Sequence, residues 1–333
     1  MTRPRWSSVR RRLALARRLA CPAVLLGAAL APPCAHAQDH AVAGASPRAH
    51  EFREVHLGME VRFVLVHASD STARELAARG FARIETLEQI MSDWRPNSEL
   101  NRLAAAPVGQ WTAVSPELHR ILVLADAVAR ATDGAFDHTV GPLTRLWREA
   151  ARTGRSIPDS ARARALRAVG YRHVEIDSES FSVRLLRPGM QLDLGAIAKG
   201  WILDDVARVL DSSGVSRLLL EAGGEIVTRG APPSETGWLI AVETSRGDTM
   251  LTLNDAAVST SSSRAQLAPA AGGAVEGHLF RAGTGRGATD APQVTVVGRV
   301  AAHTDPLATA FSLMPAEKRA TIAARFDVRV IEP

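Results

Sequence analysis

Alternating apolar and polar residues open the regular part of the chain, and helical spacing follows. Residues 53–67 alternate and are rich in β-branched side chains, which predicts one or two strands. Apolar residues then recur at helical spacing, and the second helix has Ser115 as its N-cap and Pro116 in its first turn. The predicted helices are 70–92, 114–132, one that follows 141–143, and 156–170. The part from about 68 to 170 is therefore predicted to be helix-rich.

After Tyr171 the pattern changes to short alternating segments, so the part from about 171 to 333 is predicted to be strand-rich. The predicted strands are 172–177, 181–186, 190–195, 217–230 with a Gly-Gly bulge, 237–244, 249–255 and 293–300. The remaining predictions are a helix over Ala196–Leu210, a loop over 261–292, and a helix from Thr304 or Asp305 through Met314. Helices and strands come in clusters and do not alternate regularly, which favours an α+β fold over a doubly wound sheet.

The first 37 residues have the basic, apolar and small-residue order of a secretory signal peptide. They contain seven arginines and no acidic residue, and the apolar run 19–31 is too short to span a bilayer. The small residues "AHA" end this segment at Ala37. We therefore expect export, cleavage after Ala37, a flexible leader over 38–52, and one domain over 53–333.

Removing the predicted signal peptide changes what composition implies. The formal charge falls from +5 to −2, since 33 basic residues then stand against 35 acidic ones. The basic excess thus gives no reason to expect nucleic-acid binding. Cys21 and Cys34 are also removed, which excludes disulfides, thiolate metal sites and a cysteine nucleophile from the mature chain. Neither cysteine lies in a lipobox, so we expect no lipid anchor.

The segment "QLDLGAIAKGWILDD", residues 191–205, contains one of only two lysines in a chain with 38 arginines. A helix that starts near Ala196 would present free N–H groups to an anion, with Lys199 in its first turn and Asp193 before it. This arrangement is typical of a phosphate site, although the spacing is not that of a P-loop. The alternative is a solvated Lys199 that pairs with Asp193 or Asp204.

A carboxylate and a hydroxyl share one helix face in "HTDPLATAF", residues 303–311. Asp305 and Thr309 are four residues apart, and hard oxygen ligands of this kind suit Mg²⁺. The alternative is that Asp305 is an N-cap and Thr309 a packed residue.

Two further clusters are ambiguous when each is taken alone. "DGAFDHTVGPLTRLW", 133–147, places Phe136 and Asp137 among small residues, and it is also consistent with a helix–turn–helix connection that has an aromatic plug. The hydroxyl run 258–264 is typical of loops. The histidine of "GHLF", His278, is of a kind that is usually structural or superficial.

Taken together and in this order, five segments resemble the ApbE family of FAD:protein FMN transferases. The segments are "SDWRPNSELNRL" (92–103), "GAFDHTVGPLTRLW" (134–147), "LDLGAIAKGWILD" (192–204), "EAGGEI" (221–226) and "DPLATAF" (305–311). The resemblance implies an α+β fold with mixed or antiparallel sheets flanked by helices, and an FAD site between two subdomains. It also implies a periplasmic enzyme that uses Mg²⁺ to move FMN from FAD onto a Thr or Ser hydroxyl of an acceptor flavoprotein, with release of AMP. Association with the inner membrane would be peripheral, through that acceptor; the oligomeric state is not indicated.

The resemblance also implies roles for individual residues. His278 would be the general base, and Asp305 and Thr309 would act at the reacting pyrophosphate. The metal ligands would be Asp305, Thr309 and the carbonyl oxygen of Ala196. The residues implied to contact the flavin nucleotide are Trp94, Ala135, Phe136, Asp137, Asp193, Lys199 and Phe280.

The chain departs from the family pattern in three places. Leu57 and Met59 replace the residues of a Met-Gly-Thr-like strand, and Ser262 stands where a glycine before an aromatic residue is usual. Arg281 and Ala282 stand where Asp-Pro is expected after the histidine. These changes leave the choice of acceptor and the efficiency of transfer open, while the residues implied for FAD and metal binding are kept. Two alternatives to the transferase stay open: an Mg²⁺-dependent FAD pyrophosphatase that gives free FMN and AMP, and a non-catalytic FAD-binding protein, against which Asp305, Thr309 and His278 argue together.

Overall fold

The computed structural model describes residues 46–244, 247–263, 266–281 and 283–331, and all of these belong to one compact unit. The predicted signal peptide, the leader up to residue 45, and Ala282 lie outside the described residues. The helices are α1 Asp70–Met91, α2 Glu99–Ala104, α3 Pro116–Ala131, α4 Gly141–Thr153, α5 Asp159–Arg167, α6 Ala198–Asp211, α7 Ala301–Leu313 and α8 Ala316–Arg325. None of the described helices is long and apolar enough to cross a membrane.

The described strands form four antiparallel sheets, which agrees with the predicted α+β class. The first strands are β1 Arg48–His56, β2 Met59–His67, β3 Thr112–Ala113, β4 Val174–Asp177, β5 Ser182–Leu185, β6 Leu218–Ala222 and β7 Glu225–Arg229. The others are β8 Trp238–Thr244, β9 Gly247–Leu253, β10 Ala257–Ser261, β11 Leu267–Pro269, β12 Val275–Gly277, β13 Val294–Gly298 and β14 Arg329–Ile331. The largest sheet has the order β1-β2-β6-β7-β10-β13-β14.

The alternation in β2 explains how this sheet is covered on both faces. Val61, Phe63 and Leu65 belong to the main core, which includes α1, α6 and α7. Val64 and Val66 point the other way and pack with Trp238 and its neighbours in the β8–β9 hairpin. Because successive side chains of a strand point to opposite faces, one strand supplies both cores.

A smaller set of elements flanks the main sheet. It comprises the sheet β3-β5-β4 with helix α3, and helices α4 and α5 with the two-stranded sheet β11-β12. Leu143 and Trp147 of α4 form a separate apolar cluster with Ala268 and Phe280. This cluster supports the chain around residue 280 from one side.

Several predicted boundaries were wrong. Residues 48–52 of the predicted leader belong to β1, whose whole length pairs with β2 from Arg48↔His67 to His56↔Met59. Residues 190–195 are not a strand, since the only pairing there is an isolated bridge between Gln191 and Val140. The predicted loop 261–292 contains β11 and β12.

Candidate active site

A cavity of about 1350 Å³ lies beside the first turn of α6, and every predicted site residue lines it. Its walls come from segments that are far apart in sequence, including the β1–β2 turn, the 133–137 turn, α4, the start of α6, and α7. The volume exceeds that of an ordinary drug-sized pocket and suits an elongated ligand such as a dinucleotide. The individual roles of these residues stay predictions.

Lys199, Asp305 and Glu225 form a charged cluster in this cavity, in which the two carboxylates are buried and the Lys199 side chain is 19% exposed. The Lys199 Nζ atom lies 3.4 Å from Asp305 Oδ1 and 3.6 Å from Glu225 Oε1, and it donates to the Gly195 carbonyl oxygen at 2.7 Å. The Gly200 amide donates to Asp305 Oδ2 at 3.0 Å. Lys199 therefore pairs with neither Asp193 nor Asp204, so the solvated-lysine alternative was wrong.

Burial and mutual charge set the proton affinities within this cluster. Burial lowers the pKa of Lys199, but the charges of Asp305 and Glu225 outweigh burial and raise this pKa above its ordinary value. Burial, and then the charge of Asp305, raise the pKa of Glu225 well above its usual range. Glu225 Oε2 is also buried without a hydrogen-bond partner among the described residues. Two carboxylates that face one ammonium, with one oxygen unsatisfied, fit an additional cation.

The first turn of α6 reaches Asp305 because Gly200 lacks a side chain. A Cβ atom at this position would lie 2.2 Å from the Ala301 carbonyl oxygen and 2.9 Å from Asp305 Cβ. Such distances are far below van der Waals contact, so α6 and α7 could not keep their present separation. Glycine here is what allows two helices to bring Lys199 and Asp305 together.

Gly200→Ala is therefore expected to destabilise the protein by about 1–3 kcal/mol, the usual cost of forcing an extra carbon into a packed interior. It should also impair any metal-dependent turnover, because Asp305 must move away from the α6 amides. Urea denaturation followed by circular dichroism measures the first effect. Asp211→Ala, at an exposed position of the same helix, is the control. An unchanged denaturation midpoint for Gly200→Ala would contradict the described packing.

Helix α7 begins at Ala301, with Val300 as its N-cap residue, and not at Thr304 or Asp305 as predicted. Asp305 thus lies inside the helix and is 3% exposed, which rules out the N-cap alternative. The hydroxyl run on β10 faces this helix: Ser259 Oγ lies 2.8 Å from Thr304 Oγ1, and Ser261 Oγ lies 3.5 Å from Thr309 Oγ1. These hydroxyl groups hold β10 against α7 and extend to the cavity wall.

The turn at 133–139 combines a structural role with its place in the cavity. Asp137 Oδ1 accepts from the amide and hydroxyl of Thr139 at 2.8 and 2.6 Å, and Oδ2 accepts from the Tyr171 amide at 3.1 Å. Phe136 is 3% exposed and belongs to the main core. The aromatic-plug interpretation therefore describes these residues correctly, and a contact between Asp137 and a nucleotide stays a prediction.

Asp93 and Arg148 are cavity residues to which sequence reasoning assigned no role. The Arg148 guanidinium pairs with Asp93 and lies 3.9 Å from the ring centroid of Trp94, a cation–π contact. Burial, and then the charge of Asp193, raise the pKa of Asp93 to about 6, although Arg148 opposes them. Trp94 is 70% exposed, so it lines the cavity at its solvent-exposed rim.

His278 also lines the cavity, where its ring lies against Trp147 of the apolar cluster of α4. Its ring meets Trp147 edge-on at 6.2 Å between centroids, and its Nδ1 atom is buried without a hydrogen-bond partner in the described part of the chain. Burial lowers the pKa of His278, which favours the neutral ring at physiological pH. Phe280 packs into the same cluster and is 8% exposed.

The places where the sequence departs from the family pattern also border the cavity. Leu57, Met59, Ser262 and Arg281 all line it. Arg281 donates to Asp290 Oδ1 at 2.7 Å. The cavity lining thus includes a partly exposed arginine three residues after His278.

Comparison with known proteins gives one consistent family. The sequence profile of the ApbE family matches residues 57–331, in agreement with the resemblance of the five motifs. A protein of Vibrio cholerae (strain O395) named "FAD:protein FMN transferase" is 30% identical over 256 residues, which cover 74% of this chain and 76% of that protein. A protein of the same name from Klebsiella pneumoniae (strain 342) is 34% identical over 192 residues, 56% of this chain and 58% of the relative's length.

Solved structures show the same fold. The apo flavinyl transferase ApbE of Pseudomonas stutzeri matches with a TM-score of 0.75 and 25% identity, over 85% of this chain and 90% of that one. Flavin transferase ApbE from Vibrio cholerae matches with a TM-score of 0.75 and 26% identity, over 85% of this chain and 93% of that one. These names are those of enzymes that transfer flavin, and the predicted fold class and enzyme family are thereby confirmed.

Proposed function

Because the chain belongs to the ApbE family, we propose that it transfers the FMN half of FAD to a Thr or Ser hydroxyl of an acceptor protein and releases AMP. In this reaction the acceptor oxygen attacks the phosphorus on the flavin side of the pyrophosphate. A new P–O bond to the acceptor forms, the bond to AMP breaks, and the hydroxyl proton passes to a base. The observation that carries the proposal is the buried Lys199–Asp305–Glu225 cluster in the cavity that His278 also lines.

The residues of the chain have distinct tasks in this scheme. Lys199 binds the pyrophosphate, because a largely buried ammonium favours an anion there. The predicted cradle of free α6 amides was wrong, since the Ala198 amide donates to the Leu194 carbonyl oxygen at 2.7 Å and the Gly200 amide donates to Asp305. His278, held neutral by burial, accepts the proton of the hydroxyl. Trp94 with the stacked Arg148 covers the outer end of the nucleotide.

We propose that Mg²⁺ binds at Asp305, Thr309 and the carbonyl oxygen of Ala196, next to Glu225. The Asp305 carboxylate supplies negative charge that a divalent cation requires, and the buried, unsatisfied Glu225 Oε2 atom beside it would supply more, because a bound cation lowers the pKa of that carboxyl. Bound there, the ion would neutralise phosphate charge during transfer.

The alternative reaction uses water in place of the acceptor hydroxyl. The test is AMP release from FAD and Mg²⁺ by the purified chain from Gln38 onward, with and without a set of peptides that present Thr and Ser in different sequence contexts. The proposal predicts AMP release that depends on the peptide. Equal release without peptide, with free FMN as the other product, would establish the pyrophosphatase. A chain that binds FAD and releases no AMP under either condition would be a binding protein.

The pH dependence of transfer is expected to report His278. Its pKa lies below the ordinary value of 6.5, so the neutral form is present at neutral pH and is lost only as pH falls through the lowered pKa. The transfer rate should therefore be constant near neutral pH and decline in mild acid. Asp93, with a pKa of about 6, can also produce a decline in mild acid. The pH profile of His278→Ala separates the two groups, because this variant should lack a decline that is caused by His278. A decline that persists in that variant would assign it to Asp93.

We also propose that the protein acts in the periplasm, on an acceptor at the inner membrane. The supporting feature is the signal-peptide pattern of residues 1–37. Cell fractionation with an antibody to the chain tests this proposal. Recovery of a shortened form from the periplasmic fraction would support it, and recovery of the full-length chain from the cytoplasm would contradict it.

A further inference from the structure

A buried ion pair holds the segment that carries His278. Arg162 on α5 donates to the two carboxylate oxygens of Glu276 at 2.7 and 2.9 Å, and to the Gly285 carbonyl oxygen at 2.8 Å. Both charged side chains are 7% exposed. A forked arginine–carboxylate pair fixes both distance and orientation. Arg162 therefore ties α5 to two points that flank His278 in sequence.

Between these two points the chain folds back on itself as a tight hairpin. The Ala288 amide donates to the Leu279 carbonyl oxygen at 2.7 Å, and the Arg281 amide donates to the Arg286 carbonyl oxygen at 3.1 Å. A Cβ atom on Gly287 would lie 1.9 Å from the carbonyl oxygen of Gly277, so the two arms touch backbone to backbone. His278 thus lies at the base of a hairpin, immediately after Gly277, where the backbones of the two arms come closest together.

Helix α4 adds a second anchor at the same residue. Trp147 Nε1 donates to the carbonyl oxygen of Glu276 at 3.1 Å, and the Trp147 ring packs against the ring of His278. The Gly287 amide also donates to Glu276 Oε2 at 3.3 Å. Glu276 is thus fixed through its backbone and its side chain, two residues before His278.

We propose that Arg162 and Glu276 are positioning residues for His278, which hold the ring where it can reach the hydroxyl of the acceptor. This proposal rests on the proposed function, in which His278 is the base. A contribution to stability alone does not explain why the Arg162–Glu276 ion pair is buried here, because a buried ion pair is on average no more stabilising than a well-packed apolar pair of the same volume. A fixed geometry does explain it, since a displacement of about 1 Å at a reacting group can cost on the order of 10²-fold in rate.

The test is a double-mutant cycle between Arg162→Met and His278→Ala. Arg162→Met should slow transfer by roughly 10- to 100-fold in the wild-type background, with the Kd for FAD changed by less than about 3-fold. In the His278→Ala background the same change should slow transfer by less than about 3-fold, because the residue that it positions is already absent. An equal slowing in both backgrounds would overturn the proposal.

Arg83→Met is the control for the loss of an arginine–carboxylate pair that is largely buried. Arg83 donates to the buried Asp205 at 2.6 Å and lies at none of the cavity walls. The Arg83→Met substitution should lower the denaturation midpoint and leave the transfer rate within about 3-fold of the wild-type rate. The double variant Arg162→Met with Glu276→Met separates stability from position. It should regain the midpoint that the single change loses, yet stay slow. Full recovery of the rate would contradict positioning.

A readout that does not depend on activity keeps this proposal separate from the proposed function. The ring of His278, labelled with ¹³C and assigned by His278→Ala, can be titrated by NMR while Lys199 and Asp193, the charged groups that act on it, stay unchanged. In Arg162→Met the pKa should rise toward 6.5 as the ring gains contact with water. If the wild-type protein only hydrolyses FAD, the proposed transferase function is wrong. The Arg162→Met and His278→Ala double-mutant cycle, measured as AMP release, would still test whether Arg162 and Glu276 position His278. An unchanged titration curve would overturn the pair's role.

Discussion

Replacing Asp305 with alanine is expected to abolish Mg²⁺-dependent release of AMP from FAD, a loss on the order of 10³-fold or more. Asp305 is the carboxylate that meets both Lys199 and the Gly200 amide, and it lies in the buried cluster that fits a cation. Its removal leaves Lys199 facing Glu225 alone and takes away the proposed side-chain carboxylate ligand. The rate of AMP release as a function of Mg²⁺ concentration measures the effect.

Two further variants give this prediction its controls. Asp305→Asn keeps an acceptor for the Gly200 amide but loses the charge, so it should be nearly as inactive as the alanine variant. Asp205→Asn removes the charge of another buried aspartate, one paired with Arg83 and Arg208 outside the cavity, and should retain activity. Wild-type turnover by Asp305→Ala in excess Mg²⁺ would remove Asp305 from the site.

His278→Ala is expected to slow transfer by about 10²- to 10⁴-fold, the usual contribution of a general base. The affinity for FAD should change little, because the ring packs on Trp147 and makes no ion pair within the Lys199–Asp305–Glu225 cluster. Stopped-flow measurement of FMN transfer to the peptide, together with a fluorescence titration of FAD, separates the two quantities.

The control for losing a buried histidine is His119→Ala. His119 is 5% exposed, packs against Phe181, and lies away from the cavity walls. The His119→Ala substitution should lower the free energy of unfolding and leave the rate of FMN transfer per folded molecule unchanged. If His278→Ala instead abolished FAD binding, His278 would be a binding residue and the base would lie elsewhere.

The sequence predicted the parts of the site whose signal is local. Lys199 was conspicuous because the chain has almost no other lysine, and Asp305 with Thr309 because four residues place them on one helix face. The motif order then placed these segments in one family. Their meeting in one cavity agrees with that prediction, although the role of each residue is still to be measured.

The parts that were missed depend on tertiary contacts. Glu225 is the first residue of β7, and nothing in the pattern of that strand indicates that antiparallel pairing places it beside Lys199. The Asp93–Arg148 pair joins residues 55 apart in sequence, and Arg162–Glu276 joins residues 114 apart. Helices α2 and α8 were also not predicted. Helix α2 has only six residues and α8 is largely polar, so neither shows a clear helical periodicity of apolar residues.

The most direct test of the central claim is the mass of the acceptor peptide after incubation with the purified chain, FAD and Mg²⁺, measured alongside AMP. The account predicts that the peptide gains the mass of FMN less one water, on a Thr or Ser hydroxyl, in a one-to-one ratio with the AMP released. An unmodified peptide beside equal amounts of free FMN and AMP would contradict it and would establish a hydrolase.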